Sequence, residues 1–155
     1  MTKIDQNVGT SSNARVTPPA ITPDVYEAMV AFDQTAAAGL DPVIAYLIKV
    51  RASQMNGCAF CTDLHTKQAR SAGERDQRLD VLPVWRGAPL FTDRERAALA
   101  LTESMTVLDR DGVPDEVYQE TARTFDEVEL SHLIWTIAAI NAWNRLGVSN
   151  RMAPA

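Results

Sequence analysis

The stretch GCAFCTDLHTKQARSAG, residues 57–73, holds both cysteines of the chain and one of its two histidines. Cys61 lies three residues after Cys58, and His65 lies four residues after Cys61. On an α-helix these spacings place the three side chains on one face, each about one turn from the next. Two thiols and an imidazole in one row suit reversible thiol–disulfide exchange, in which the imidazole handles the thiol proton.

A turn at Asn56-Gly57 is predicted to separate this helix from the one before it. The preceding helix is expected to begin where Asp41 precedes Pro42, since an N-cap followed by proline is typical of a helix start. Its apolar stripe has helical spacing and consists of Ile44, Leu47, Ile48, Ala52 and Met55. The break places both cysteines in the first turns of a helix, where free N–H groups and the helix dipole favour a thiolate.

The rest of the chain also has helical patterns and no convincing strand pattern. A Thr-x-x-Glu capping box at Thr92 begins one further helix, and the last helix is apolar nearly all round, so we expect it to be central and buried. Helices are predicted at about 25–37, 42–55, 58–71, 74–82, 92–108, 114–125 and 126–146, with a connector at 85–89. The sequence therefore predicts an all-α domain of about six or seven helices over residues 17–155, preceded by a flexible tail over 1–16.

Charge and composition exclude several classes of function. The net charge of −5 does not favour nucleic-acid binding, which usually requires a basic patch. No apolar run is as long as a membrane span. Residues 1–14 are polar and lack the apolar core of a signal peptide, so we expect a cytoplasmic protein. In that compartment a cysteine pair is more often catalytic or metal-binding than structural.

The cysteine pair leaves several interpretations open. A structural disulfide would close a ring of only a few residues and add little stability. A metal site would use Cys58, Cys61 and His65 and would need a fourth ligand, such as His132 or an acid. A third interpretation is a pair of inert, buried thiols. A fourth is a non-enzymatic redox sensor in which oxidation of the cysteine pair switches an interface. His132 is interpreted as a structural, hydrogen-bonded histidine.

The segment QMNGCAFCTDLHTK, residues 54–67, resembles the active-site signature of the alkylhydroperoxidase AhpD-like proteins of the carboxymuconolactone decarboxylase superfamily. The resemblance continues through residues 69–74, 95–99 and 140–145, and it covers roughly residues 16–152. It implies an AhpD-like helical fold that assembles into homo-oligomers, often trimers or hexamers. Decarboxylation is not implied, because the decarboxylase branch does not depend on this cysteine pair.

The resemblance also implies an antioxidant enzyme, a peroxiredoxin-type alkylhydroperoxidase or disulfide reductase with a redox-active disulfide. Its substrate would be an organic hydroperoxide, and its electron donor a lipoyl-carrying or thioredoxin-like dithiol protein. No metal, haem or flavin cofactor is expected, since the thiols carry the electrons. By this analogy Cys61, beside His65, attacks the peroxide and Cys58 resolves the sulfenic acid.

One position departs from the pattern of the family. Its peroxidase members have a glutamate twelve residues before the first cysteine, and this chain has Tyr46 there. Tyrosine titrates near 10 and is a poor base at neutral pH. Glu103, which lies among apolar neighbours, is either the candidate substitute or a solvated glutamate on the polar face of its helix. If Glu103 faces His65, burial is expected to raise the pKa of its carboxyl group toward a useful value.

Overall fold

The computed structural model describes residues 15–154, and in this range the chain forms helices and no strand. The eight α-helices are α1 (Pro18–Ile21), α2 (Pro23–Ala37), α3 (Pro42–Met55), α4 (Ala59–Ser71), α5 (Asp76–Val81), α6 (Asp93–Thr106), α7 (Asp115–Thr124) and α8 (Glu127–Ser149), with a 3₁₀ helix at Leu82–Gly87 between α5 and α6. The all-α prediction is confirmed. The predicted tail lies outside the described range except for its last two residues.

Local capping signals predicted most helix starts correctly. Asp41 accepts a hydrogen bond from the backbone N–H of Val43 at 2.8 Å and caps α3. Thr92 and Glu95 form the predicted capping box at the start of α6, and Asp126 begins α8 with a second one. Each of these interactions joins residues within one turn of the chain, so the sequence alone specifies it.

The segment around the first prolines and the segment around Pro83 differ from the prediction. The consecutive prolines Pro18 and Pro19 occupy the first turn of the short helix α1, where a missing N–H is tolerated, and no helix was predicted there. The helix predicted at 74–82 is shorter, Asp76–Val81, and the predicted connector is the 3₁₀ helix Leu82–Gly87. Trp85 is buried there, and this burial fixes a segment whose sequence indicated only a loop.

Helix α3 is the centre of the packing. It contacts α4, α6 and α8, while α2 lies along α8 and α7 lies against α6. Ile48, on the predicted apolar stripe of α3, is fully buried in a cluster with residues of α6 and α8 such as Leu101 and Ile137. Burial of apolar side chains of this size is the main source of stability in such a domain. The cysteine-bearing helix α4 is therefore held on a well-packed support.

The last helix is central, as expected, but it is not buried on all sides. Leu133, Ile137 and Ile140 are fully buried, whereas Trp135 is 55% exposed. Trp135 packs edge-on against Phe32 of α2, with ring centroids 5.8 Å apart. Helix α8 thus has one apolar face in the core and a second apolar face that α2 covers only in part. The two faces cannot be told apart from the composition of the helix. None of the helices in the described range is long and apolar enough to cross a membrane.

His132 connects α8 to the end of α2. Its Nδ1 donates a hydrogen bond to the carbonyl oxygen of Ala36 at 2.9 Å, since a carbonyl can only accept. The prediction of a structural, hydrogen-bonded histidine agrees with this contact.

Candidate redox site

Cys58 and Cys61 are joined by a disulfide bond at the start of α4. Cys58 is the N-cap residue of the helix, and its sulfur accepts a hydrogen bond from the backbone N–H of Cys61 at 3.2 Å. Both residues are buried, at 2% and 4% exposure. The preceding turn is made by Gly57, whose φ of 65° favours glycine. The sequence predicted this break and the placement of both sulfurs at a helix N-terminus.

Gly147 of α8 forms the back wall of the disulfide. A Cβ added to Gly147 would lie 2.6 Å from Cys58 Sγ and 3.1 Å from Cys61 Sγ, closer than van der Waals contact allows. The residue must therefore lack a side chain for α8 to approach the two sulfurs. Gly147 was not among the residues predicted for the site. Its position within a 23-residue helix was nevertheless a signal, because a glycine there lowers helix stability and is kept only where packing requires it.

A network of buried amides connects the turn before Cys58 to α8. The side-chain N–H₂ of Asn56 donates to the amide oxygens of Asn141 and Asn144, each at 2.9 Å. Asn144 in turn donates to the hydroxyl of Ser53 at 2.9 Å. Buried polar groups of this kind are expensive to leave unpaired, so a satisfied network fixes the position of the turn. Asn141 and Asn144 thus hold the turn before Cys58 against α8.

His65 lies one helical turn beyond Cys61 and is 8% exposed. Its Nδ1 donates a hydrogen bond to Oε1 of Gln68 at 2.8 Å, since an amide oxygen can only accept. In the neutral ring Nε2 therefore keeps its lone pair and can accept a proton. Burial lowers the pKa of His65 below its ordinary value, opposed in part by the Gln68 hydrogen bond. The imidazole is thus a neutral base at neutral pH.

Glu103 is bound in another cluster. Its carboxylate accepts hydrogen bonds from Arg51 Nε at 2.7 Å, from Trp85 Nε1 at 2.9 Å and from Arg86. Burial alone acts to raise the pKa of Glu103, but these three donors outweigh it and lower the pKa below the ordinary value. A raised pKa was expected only if Glu103 faced His65, and the carboxylate is instead bound by these three donors. The hydrogen bonds and ion pairs of Glu103 within residues 15–154 do not include His65.

Two open clefts flank α4. One, of about 550 Å³, is lined by Cys58 together with Gln54, Thr62, Asp63 and Arg70, among others, and Cys61 is not part of its lining. The other is lined by Tyr46, Leu64, Lys67 and Gln68, together with Ser71 and Ala72. Tyr46 and Gln68, the hydrogen-bond partner of His65, thus line the same cleft.

The part of the chain that the structure describes does not assemble the ligands of a metal ion. Among residues 15–154, no group of three or more histidine, cysteine, aspartate or glutamate side chains is placed to hold a metal ion. Cys58 and Cys61, two of the three ligands that the sequence offered, are bonded to each other.

Comparisons with known proteins agree with the fold and the motif. Residues 23–104, more than half of the chain, match the model of the carboxymuconolactone decarboxylase family. The uncharacterised protein YdfG of Bacillus subtilis (strain 168) is 40% identical over 121 residues, which cover 77% of this chain and 82% of YdfG.

Solved structures are also similar. The crystal structure of ATU0492 from Agrobacterium tumefaciens, a protein of unknown function and candidate antioxidant defence protein AhpD, superimposes with a TM-score of 0.87. Its sequence identity is 34%, and the match covers 92% of this chain and 98% of that one. An alkylhydroperoxidase AhpD core, an uncharacterised peroxidase-related protein from Ralstonia eutropha JMP134, has a TM-score of 0.77 at 20% identity, covering 88% and 74% of the two chains. At that identity the likeness concerns the fold alone.

Proposed function

The chain belongs to the carboxymuconolactone decarboxylase family, in its AhpD-like branch, and on this basis we propose that it is a thiol-dependent hydroperoxidase with Cys58, Cys61 and His65 as its catalytic residues. The observation that carries the proposal is the Cys58–Cys61 disulfide in the first turn of α4, with a neutral imidazole one turn beyond it. We place this activity in the cytoplasm and in a homo-oligomer, a trimer or hexamer.

The oxidative half of the cycle starts from the two free thiols. His65 takes the proton of Cys61, and the helix N-terminus stabilises the thiolate. The thiolate attacks one oxygen of an organic hydroperoxide, so an S–O bond forms, the O–O bond breaks, and the alkoxide takes the proton from His65 and leaves as an alcohol. The thiol of Cys58 then attacks the sulfenic acid on Cys61, and the disulfide forms with loss of water.

The reductive half requires an external dithiol. A thiolate of the donor attacks Cys58, which lines the larger cleft, and Cys61 leaves as a thiolate beside His65. The second thiol of the donor then attacks the mixed disulfide, so the donor leaves as a disulfide and the protein regains two thiols. Two electrons and two protons thus pass from the donor, a lipoyl-carrying or thioredoxin-like protein, to the hydroperoxide. Glu103 has no step in this cycle, because its hydrogen bonds go to Arg51, Trp85 and Arg86.

A single-turnover experiment tests the proposal. Reduced protein is mixed with cumene hydroperoxide, its thiols are trapped by alkylation, and its mass is followed with time for the wild type, Cys58→Ser and Cys61→Ser. We expect a rapid internal disulfide in the wild type and a sulfenic acid on Cys61 in Cys58→Ser. Thiols that oxidise no faster than free cysteine would overturn the proposal.

A second measurement separates an enzyme from a redox sensor. Consumption of hydroperoxide is followed at substoichiometric protein with dihydrolipoamide as the donor. A hydroperoxidase turns over many times per subunit, whereas a sensor stops after one oxidation and changes its oligomeric state when it is reduced.

A further inference from the structure

The side chain of Gln68 contacts the imidazole of His65 directly. Its Oε1 lies 2.8 Å from His65 Nδ1, and both residues belong to α4. Gln68 falls between the two segments that carry the family resemblance, 54–67 and 69–74, and it is not among the residues predicted for the site. The contact is therefore a feature of the folded helix that the motif did not indicate.

This hydrogen bond decides which ring nitrogen of His65 carries the proton. In a neutral imidazole one nitrogen is a donor and the other is an acceptor. Because the amide oxygen of Gln68 can only accept, it keeps the proton on Nδ1 and leaves the lone pair on Nε2. Neutral histidine in water favours the opposite tautomer, with the proton on Nε2. Without Gln68 the ring would therefore return toward a form whose Nε2 has no lone pair.

The order of side chains along α4 leaves Nε2 as the nitrogen for the thiol proton. His65 follows Cys61 by four residues and precedes Gln68 by three, so the ring lies between the two along one side of the helix. With Nδ1 protonated and bound to Gln68, only Nε2 can accept a proton. An amide suits this task because it carries no charge, whereas a carboxylate at position 68 would favour the imidazolium.

We propose that Gln68 is a positioning residue of the redox site, which holds His65 in the tautomer whose Nε2 takes the proton of Cys61. The proposal rests on the proposed function for the purpose of that proton transfer, while the tautomer is a property of the folded protein. The proton moves from Cys61 Sγ to Nε2, stays on the ring because the amide does not take it up, and passes to the leaving alkoxide. Gln68 thus orients the base without exchanging a proton itself.

Nitrogen NMR of the oxidised protein tests the tautomer without any peroxide, because the ¹⁵N shift of a ring nitrogen shows whether it is protonated. Each variant is measured above the midpoint of its own His65 titration, where the ring is neutral, and the His65 signals are those lost in His65→Gln. We expect the proton on Nδ1 in the wild type. In Gln68→Met, which keeps the length of the side chain but removes the acceptor, the proton is expected to shift toward Nε2. Gln68→Glu retains an acceptor and should keep the proton on Nδ1.

Two controls accompany this measurement. His132 Nδ1 donates to the carbonyl oxygen of Ala36, so the signals of His132 should be the same in every variant. Gln119→Met makes the same substitution at an exposed position of α7 and is expected to leave the tautomer of His65 unchanged. A proton on Nε2 in the wild type, or a Gln68→Met spectrum equal to that of the wild type, overturns the proposal.

The titration midpoint of His65 gives a second readout from the same samples. The hydrogen bond from Gln68 raises the pKa of His65 against the larger effect of burial, so the midpoint should fall in Gln68→Met and rise in Gln68→Glu. The charged groups that also act on the ring are Lys49 of α3 and Asp33 of α2, which oppose each other and are present in every variant. A midpoint that does not fall in Gln68→Met contradicts the proposal.

The link to Cys61 is tested in the reduced Cys58→Ser protein, where Cys61 is the one remaining thiol. Its reaction with iodoacetamide near neutral pH is expected to be about 2- to 10-fold slower when Gln68→Met is added, the effect of losing one hydrogen bond. Adding Gln119→Met should not slow it. A shifted tautomer with an unchanged rate would overturn the role of Gln68 in proton transfer. The expected spectra and rates without any consumption of hydroperoxide would overturn only the proposed function.

Discussion

Gly147 of α8 lies directly behind the sulfur of Cys58, with no room between them for even one methyl group. This contact joins the last helix of the chain to the first residue of the motif. The position of the disulfide therefore depends on how α4 packs against α8 as well as on the geometry of α4 itself.

Gly147→Ala is expected to destabilise the oxidised protein. Alanine favours a helix over glycine by about 1 kcal/mol, but overpacking against a fixed group costs about 1–3 kcal/mol, and the disulfide keeps both sulfurs from moving aside. The net loss should therefore be largest in the oxidised state and smaller after reduction, when the thiols can rotate. Urea unfolding of both states measures it.

Gly87→Ala is the matched control for this substitution, since no atom lies within 4 Å of a Cβ added at Gly87. It is expected to leave the stability of both states nearly unchanged. An equal change in the free energy of unfolding in the two variants would mean that the close approach of α8 to the disulfide does not affect stability.

His65 should make the stability of the oxidised protein depend on pH. Its pKa lies below the ordinary value of 6.5, mainly because the ring is buried. Between the two values the unfolded chain binds a proton that the folded chain does not, so the free energy of unfolding falls as the pH falls through this window. At pH values above the ordinary pKa both states are neutral and no penalty remains.

The measurement compares urea unfolding of the oxidised protein at about pH 8 and about pH 5.5, where an ordinary histidine is mostly neutral and mostly protonated, respectively. His65→Gln should show a smaller loss of stability between the two conditions than the wild type. An equal loss in both proteins would mean that burial of His65 carries no protonation penalty.

Glu103→Gln is expected to destabilise the protein by about 1–3 kcal/mol, because it weakens charged hydrogen bonds to Arg51, Trp85 and Arg86 in a mostly buried cluster. The rate at which the reduced cysteines react with iodoacetamide should not change, since the cluster does not include His65. Glu120→Gln, which breaks an exposed ion pair with Arg123, is the control and should cost less than about 1 kcal/mol. A slower reaction of the cysteines with iodoacetamide in Glu103→Gln would show that Glu103 acts on the redox site.

Cys58 is expected to be the sulfur that a disulfide probe reaches first, since it lines the larger cleft and Cys61 does not. Reduced Cys61→Ser should therefore form a stable mixed disulfide with an aromatic disulfide, because neither the protein nor the bound half of the probe then carries a second thiol that could break it. Cys58→Ser should form one more slowly when the probe is bulky, because Cys61 does not line the cleft even though its thiol is the one that His65 activates. Mass spectrometry of the two variants over time gives the comparison, and faster labelling of Cys61 would contradict the assigned direction of attack.

Much of the fold was predictable because its signals are local. The cap at Asp41, the boxes at Thr92 and Asp126, and the break at Gly57 each involve residues within a few positions of one another. The 3₁₀ helix at Leu82–Gly87 was not predictable from its composition, because burial of Trp85 and its hydrogen bond to Glu103 hold it in place.

In the candidate site, too, some features follow from local sequence and others depend on tertiary contacts. Its three reactive side chains come from one stretch of eight residues, so their spacing alone placed them on one helical face. The partners of Glu103 come from other elements, and one of them, Arg51, is 52 positions away in the sequence. No pattern in the neighbourhood of Glu103 predicts that three donors converge on it and lower its pKa instead of raising it.

Sequence patterns alone identified a helical chain, the starts of most of its helices, and the placement of two cysteines and a histidine at the start of one helix, because capping and helical periodicity act over short stretches of chain. The surroundings of that row depend on tertiary packing, which places Gly147 against the sulfurs and joins Asn56 to Asn144 by a hydrogen bond across 88 positions. Burial and the electrostatic field at a side chain depend on which helices meet, and that meeting is set by the packing of the whole core.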